Sequence, residues 1–362
     1  RISYSVYLIH WPLFVFALFF LRDQTSPIVA LGMISAALAV GAVMYHIVET
    51  PFRRKGTAGF AISTRALGWS SFAIAAALTI ASTLIHLEKG YANRFPPQMV
   101  ALLDQLDVAI GTRTDAVREF SCNATQSSAD VYFDVFDSCL PDERDNMIVV
   151  LGDSHAADVY MGLAAAYPDA ALVQLTGNGC NFTKDPDENT FCAQFMRHWR
   201  TWITENADRI AAIIYNQSGG ALRGAAPDRP NTTMINRLFT HLPQFKPDDV
   251  PFYFWGPRAG FTPTIDIAII GSADLAALRG YYDPDGYAAE AALDQVLRKQ
   301  FAGSDVRYAS AFDAFCNQRC PTLTDEDKLF VVDYAHWTKE GAVQATQALV
   351  AASPGLLPLL TR

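Results

Sequence analysis

The sequence predicts an α/β domain, a parallel sheet with helices on both faces, preceded by transmembrane helices. From residue 146 onward, short apolar runs at 147–151, 171–175, 210–215 and 250–255, with a weaker one at 306–309, alternate with helical stretches, the pattern of a parallel sheet. Ahead of them, residues 6–21, 27–48 and 67–87 carry no formal charge, each near the ~20 residues a helix needs to cross a bilayer. All six cysteines follow the last of these stretches.

Three spans are therefore expected, the first short and interrupted by His10 and Pro12. Beyond Glu49 at the helix end, the loop between the second and third holds Arg53, Arg54, Lys55 and Arg65 without an acid, whereas Arg22 in the preceding loop is offset by Asp23. Positive charge marks the cytoplasmic side, so everything beyond about residue 88 is predicted to be extracytoplasmic. Cysteines confined to that side fit an oxidising compartment. Sequence proximity favours the pairs Cys122–Cys139, Cys180–Cys192 and Cys316–Cys320. Their spacing forms no paired CxxC knuckles and the histidines are scattered, so no metal site is expected. No signal peptide is visible, and a chain that opens on Arg1 and runs straight into a span reads as a piece of something longer. Glu49, beside Pro51, reads as an anchor for a helix end.

The boundaries that follow are membrane helices over 1–55, a cytoplasmic loop and further span over 56–90, an extracytoplasmic linker and extension over 91–145, and the α/β domain over 146–362. The hydrophobic share of 51% and mean hydropathy of +0.11 agree with a partly membrane-embedded chain. With 37 acidic against 28 basic residues and no basic block, the net charge of −9 excludes an electrostatic nucleic-acid footprint.

In parallel sheets ligands sit at the carboxyl ends of the strands, so the residues where each apolar run stops matter most. After the first run come Gly152, Asp153, Ser154 and His155; after the second, "TGNGCN" from Thr176; after the third, "NQSGG" from Asn216; after the fourth, "GPRAGFTP" from Gly256. Near the end of the chain, "DYAH" places Asp333 three residues before His336. A serine hydroxyl needs a base to take its proton, and the base needs a carboxylate to hold its tautomer. Ser154, His336 and Asp333 supply that set. Ser154 also falls at a strand-to-helix turn, where amides can face a developing oxyanion. Arg258, at a strand end, is a candidate for steering an anionic or carbohydrate ligand. His155 reads as a packing or substrate-edge residue.

"GDSH" followed much later by "DYAHWT" resembles the SGNH/GDSL hydrolase superfamily, which implies a flavodoxin-like parallel sheet, Ser154 as nucleophile and backbone oxyanion donor, His336 as base and Asp333 as its orienting acid. By the same resemblance the oxyanion glycine corresponds to Gly177 or Gly179, and the oxyanion asparagine to Asn216, although no Asp follows it. At the front, "RISYSVYLIHWPL" and "YHIVETPFRRK" resemble the closing helices of the acyltransferase-3 family of membrane proteins, which are often fused to an extracytoplasmic SGNH domain by one extra span. The paired resemblance implies a bacterial inner-membrane O-acyltransferase, with acetyl the expected acyl group. Its acceptor would be a cell-surface polysaccharide such as a lipopolysaccharide or a lipid-linked glycan. It implies no bound cofactor in this chain, acyl-CoA as ultimate donor, and an N-terminal acyltransferase module as partner. An SGNH carbohydrate esterase and a non-catalytic glycan-binding module are the alternatives.

Overall fold

The computed structural model describes residues 2–21, 26–50, 55–56, 59–60, 63–88, 90–142, 145–224, 230–316 and 319–361. The chain forms two compact units, Arg1–Arg94 and Phe95–Arg362.

The first unit is helical. Helix α1 spans Ser3–Leu21 and α2 spans Pro27–Met44, continuing into a π-helical turn over Tyr45–Glu49. The short strands β1 (Lys55–Gly56) and β2 (Gly59–Phe60) pair antiparallel before α3 (Thr64–Leu87). Ser26 caps α2 by accepting from the Val29 N–H, with Pro27 in the first turn, where its missing N–H costs nothing. Among the described residues, Pro27–Glu49 and Arg65–Leu87 are long and apolar enough to cross a membrane, while the apolar stretch Ser3–Ala17 is shorter. Helix α3 leaves Trp69, Phe72, Ile74, Leu78 and Ile80 uncovered, a surface that water does not favour and lipid would cover. Glu49 accepts a hydrogen bond from Ser5 Oγ at 2.5 Å, tying the end of the π-helical turn to the start of α1. Arg53 and Arg54 of the basic loop lie outside the described residues, as do Arg22 and Asp23.

The second unit is built on a six-stranded sheet in the order β3-β5-β4-β6-β7-β8, parallel throughout. Its strands are β3 (Asn123–Ala124), β4 (Met147–Gly152), β5 (Leu172–Gly177), β6 (Ile210–Asn216), β7 (Phe252–Trp255) and β8 (Val306–Ala309). Leaving aside β3 at the edge, the order is the 2-1-3-4-5 of a flavodoxin-like sheet, whose switch point lies between β4 and β6. The register levels the carboxyl ends: Gly152 pairs with Thr176 and Asn216, Asn216 with Trp255, and Trp255 with Ala309.

Alternation along β4 divides the core. Ile148 and Val150 face a layer with helices α4 (Pro97–Ala116), α6 (Ser154–Ala166) and α12 (Lys339–Ala351), whereas Met147, Val149 and Leu151 face the opposite layer with α7 (Phe191–Glu205). Each such buried aliphatic side chain stabilises by roughly 1.5–3 kcal/mol. Helices α6 and α12 approach closely at Gly162, where a Cβ would stand 2.4 Å from the Ala342 carbonyl oxygen. Between α7 and α12 the chain forms α8 (Thr232–His241), α9 (Ile265–Gly271), α10 (Leu275–Arg279) and α11 (Pro284–Phe301).

Residues 91–145 are more than the linker and extension expected. Met99, Leu102 and Leu106 of α4, spaced three and four apart, enter the first core layer together with Val117, while Tyr132 of α5 (Ala129–Val135) and Phe136 enter the second. Asn123 and Ala124 add the edge strand. A two-residue strand opening on Asn has no apolar run to announce it. Disulfides join Cys122 to Cys139, Cys180 to Cys192 and Cys316 to Cys320, the pairing expected from proximity.

Candidate active site

Ser154 is the first residue of α6, and Asp153 is its cap. The turn between β4 and α6 requires Gly152: its φ is +142°, and a Cβ there would lie 2.0 Å from the Asn216 carbonyl oxygen of the neighbouring strand. Asp153 is buried and joins three strand-end loops. It accepts from the His155 N–H at 3.0 Å, from Asn181 Nδ2 at 3.2 Å in the loop after β5, and from the Ser218 N–H at 3.0 and 3.2 Å in the loop after β6. Burial pushes its carboxyl up, against those donors. The cap orients the turn and places the Ser154 N–H in the first turn of the helix, where backbone amides have no intrahelical acceptor.

Residues 333–336, just ahead of α12, bring Asp333 and His336 to the same edge. His336 Nε2 is 2.9 Å from Ser154 Oγ, across 182 residues of sequence, and His336 Nδ1 is 2.7 Å from Asp333 Oδ2. Asp333 Oδ1 accepts the N–H groups of Ala335 and His336, both at 2.8 Å. Burial works against the Asp333 charge, but the His336 hydrogen bond and charge and the two backbone donors hold its carboxyl at about 2. The carboxylate is therefore ionised at neutral pH.

His155 turns inward. Its ring meets that of His336 edge-on, with centroids 5.3 Å apart, and burial, followed by the charges of Arg258 and His336, keeps its imidazole well below the ordinary range. It is a neutral packing partner of His336. Tyr334, beside His336, is exposed to solvent.

Two expectations need correction. Asn216 sits at the end of β6, but its amide Nδ2 donates to the Trp255 carbonyl at 2.9 Å and the Gly256 carbonyl at 3.3 Å, so it staples β6 to β7 and has no amide hydrogen aimed at an oxyanion. Arg258 does follow β7, yet it is 4% exposed; its Nη2 is paired with Asp158 and its guanidinium lies 3.7 Å from the Trp337 ring centroid. It is a structural cation beneath the site. Of the two glycines, Gly177 ends β5 opposite Ala124 and is buried, whereas Gly179 is exposed at φ +72° in the following loop. Sequence reading missed the roles of Asn181, Ser218 and Asp158, whose partners are distant in sequence. Among the described residues no group of three or more metal-ligating side chains comes together.

The family model described as "SGNH domain (fused to AT3 domains)" matches residues 121–351. Among solved structures, the periplasmic domain of a lipopolysaccharide acetyltransferase from Salmonella ser. Paratyphi A superposes with a TM-score of 0.54 at 17% identity, covering 70% of this chain and 98% of that one. A carbohydrate acetylesterase family member from Sinorhizobium meliloti gives 0.37 at 14% identity, covering 59% of this chain and 99% of that one. The C-terminal catalytic domain of peptidoglycan O-acetyltransferase A from Streptococcus pneumoniae gives 0.29 at 13%, covering 59% and 95%. No curated protein matches the sequence.

Proposed function

The chain belongs to the family of SGNH domains fused to AT3 domains, and from that premise we propose that it is a membrane-anchored O-acyltransferase, with acetyl the expected group, that modifies a cell-surface polysaccharide on the periplasmic side of the inner membrane. The observation that carries the reading is the hydrogen-bonded series Ser154 Oγ, His336 Nε2, His336 Nδ1, Asp333 Oδ2 at the carboxyl edge of the sheet. The AT3 fusion named by the family and the acetyltransferase named for the Salmonella domain support transfer over hydrolysis.

In this reading His336 Nε2 takes the Ser154 proton as Oγ attacks the acyl carbonyl, and Asp333 stabilises the imidazolium and holds its tautomer. The oxyanion forms at the N-terminus of α6, where the Ser154 N–H is the first donor and Gly179, exposed after β5, is the candidate for the second. His336 returns the proton to the leaving group, giving acyl-Ser154. A glycan hydroxyl, deprotonated by His336, then attacks that ester and regenerates the serine. Acyl-CoA is the ultimate donor, consumed as a substrate by an acyltransferase module on the cytoplasmic side.

The test is intact-mass spectrometry of the full chain in detergent with p-nitrophenyl acetate, with and without surface oligosaccharides, beside Ser154→Ala. A Ser154-dependent acetyl adduct that discharges faster when sugar is present is expected. Discharge to water at one rate regardless of sugar would make the protein an esterase, and equal labelling of the Ser154→Ala protein would remove Ser154 as nucleophile.

A further inference from the structure

One helical turn beyond Ser154, on the same face of α6, stands Asp158, a carboxylate with no solvent exposure. Arg113 of α4 places Nε and Nη2 each 2.8 Å from its Oδ1. Its Oδ2 accepts from Arg258 Nη2 and, at 2.9 Å, from the backbone N–H of Trp337. That N–H belongs to the peptide unit joining His336 to Trp337, whose oxygen accepts from the Val332 N–H at 2.8 Å. Both edges of this peptide are held, one of them by Asp158, and the peptide fixes where the His336 side chain begins. Arg258 closes the arrangement through the Trp337 ring.

Three buried charges are a costly way to stabilise a fold, since apolar side chains of the same volume often do as well. A charged centre that reaches a backbone N–H in another segment offers something apolar packing cannot, a directional tie. We infer that Asp158 is a positioning residue, fastening the segment that carries His336 to the helix that carries Ser154 and so holding their contact ready before substrate arrives. The inference rests on the proposed role of His336 as base.

The cluster also sets the local charge. Behind His336 both guanidiniums pair with Asp158, and Arg113 also faces Glu119, so changing Asp158 or Arg258 changes the local charge by one unit. The other groups against His336 are Asp333 and Tyr334 on its own segment and His155 from the β4–α6 turn; Asp153 and Arg223 act on Tyr334, Arg223 also acts on His155, and Glu119 lies 3.7 Å from Arg113. Arg258 also acts on His155, Asp153 and Tyr334, and removing its charge favours their protonated forms in the same sense as it favours the imidazolium. Asp158→Asn leaves Arg258 without its carboxylate partner and Arg113 with Glu119 alone, disfavours the imidazolium and moves the acid limb of the pH–rate profile down. Arg258→Met leaves Asp158 neutralised by Arg113 alone and moves the limb up.

The experiment follows single-turnover acetylation of Ser154 by p-nitrophenyl acetate in the full chain across pH, counting only folded protein. Asp158→Asn should acylate at least about tenfold more slowly, the scale of a slightly misplaced catalytic group, with KM nearly unchanged and the acid limb lowered; Arg258→Met should raise the limb. A wild-type rate in Asp158→Asn, or limbs that stay in place or move in the same direction, would overturn the inference. If Asp158→Asn does not fold, the direction of the Arg258→Met limb decides alone. Titration of the His336 ring by NMR reads the same two opposed shifts without chemistry. A wild-type protein that forms no adduct but shows those NMR shifts would therefore count against the proposed function and not against this coupling.

Discussion

Replacing Asp333 by Asn keeps the shape of the side chain, removes its negative charge and changes the direction in which it can hydrogen bond. In the native arrangement Oδ1 satisfies two backbone N–H groups at 2.8 Å and Oδ2 faces His336 Nδ1 at 2.7 Å. The two backbone donors require an acceptor, so the amide oxygen of Asn takes the Oδ1 position and its NH2 turns to Nδ1. Nδ1 must then accept, the ring proton moves to Nε2, and Nε2–H confronts Ser154 Oγ with no lone pair to receive the proton. Loss of the correct tautomer costs roughly 10⁴ in rate in such triads, equivalent to about 5.5 kcal/mol of barrier. The number of hydrogen bonds is conserved, so the melting temperature should change little. Stopped-flow release of p-nitrophenol, paired with thermal melts, measures both. A loss smaller than tenfold at unchanged melting temperature would refute the assignment of Asp333 as the group that sets the His336 tautomer.

Two further outcomes follow from the geometry. Gly152→Ala combines a φ of +142° with a Cβ 2.0 Å from a carbonyl oxygen, so it should cost at least about 3 kcal/mol, whereas Gly179→Ala, at φ +72° in open space, should cost only about 1–2 kcal/mol; equal melting temperatures for the two variants would contradict the turn argument. Glu290 is buried on α11, and burial pushes its carboxyl up to about 7 against the opposing charge of Arg223. Because the folded value is the higher one, its contribution to stability is complete below the ordinary 4.5 and is lost as pH rises through about 7. The melting temperature of Glu290→Gln relative to the native chain should therefore climb between pH 5 and 8, and a difference that is flat with pH would show that Glu290 is not titrating there.

The sheet was legible because each of its five long strands is a short apolar run that stops at polar or small residues, and burial on both faces forces such runs on a central parallel strand. Ser154, Asp333 and His336 were legible for a different reason: they fall in two short blocks, GDSH at the first strand end and DYAH near the end of the chain, that together supply a hydroxyl, an imidazole and a carboxylate. Asn216 and Arg258 also stand at strand ends, but their partners are Trp255, Gly256, Asp158 and Trp337, and position in a strand cannot distinguish a side chain aimed at ligand from one spent on the neighbouring strand. Asn123–Ala124 escaped notice because an edge strand of two residues is defined by its pairing with Thr176 and Gly177, not by any periodicity of its own.

The least legible part of the site follows from the topology itself. Ser154 leaves β4 in the middle of the sheet, whereas His336 arrives after β8 at the far edge, so His336 is delivered by a segment that belongs to no strand of the sheet. Its sequence can specify the local Asp333 contacts, which span three residues, but it cannot by itself specify a distance to Ser154. That distance needs contacts made after the chain has closed. Packing of α12 against α6 at Gly162 supplies the coarse approach, but apolar contacts are non-directional and do not orient an imidazole. The directional part comes from Asp158 on α6 and the Trp337 N–H, with Arg113 and Arg258 required only because a bare buried carboxylate would be too costly to keep ionised. On this argument the guanidiniums are conditions for the tie, and Asp158 is the tie. A variant of either arginine that preserves the Asp158 to Trp337 hydrogen bond should leave the Ser154–His336 geometry intact while changing its electrostatics.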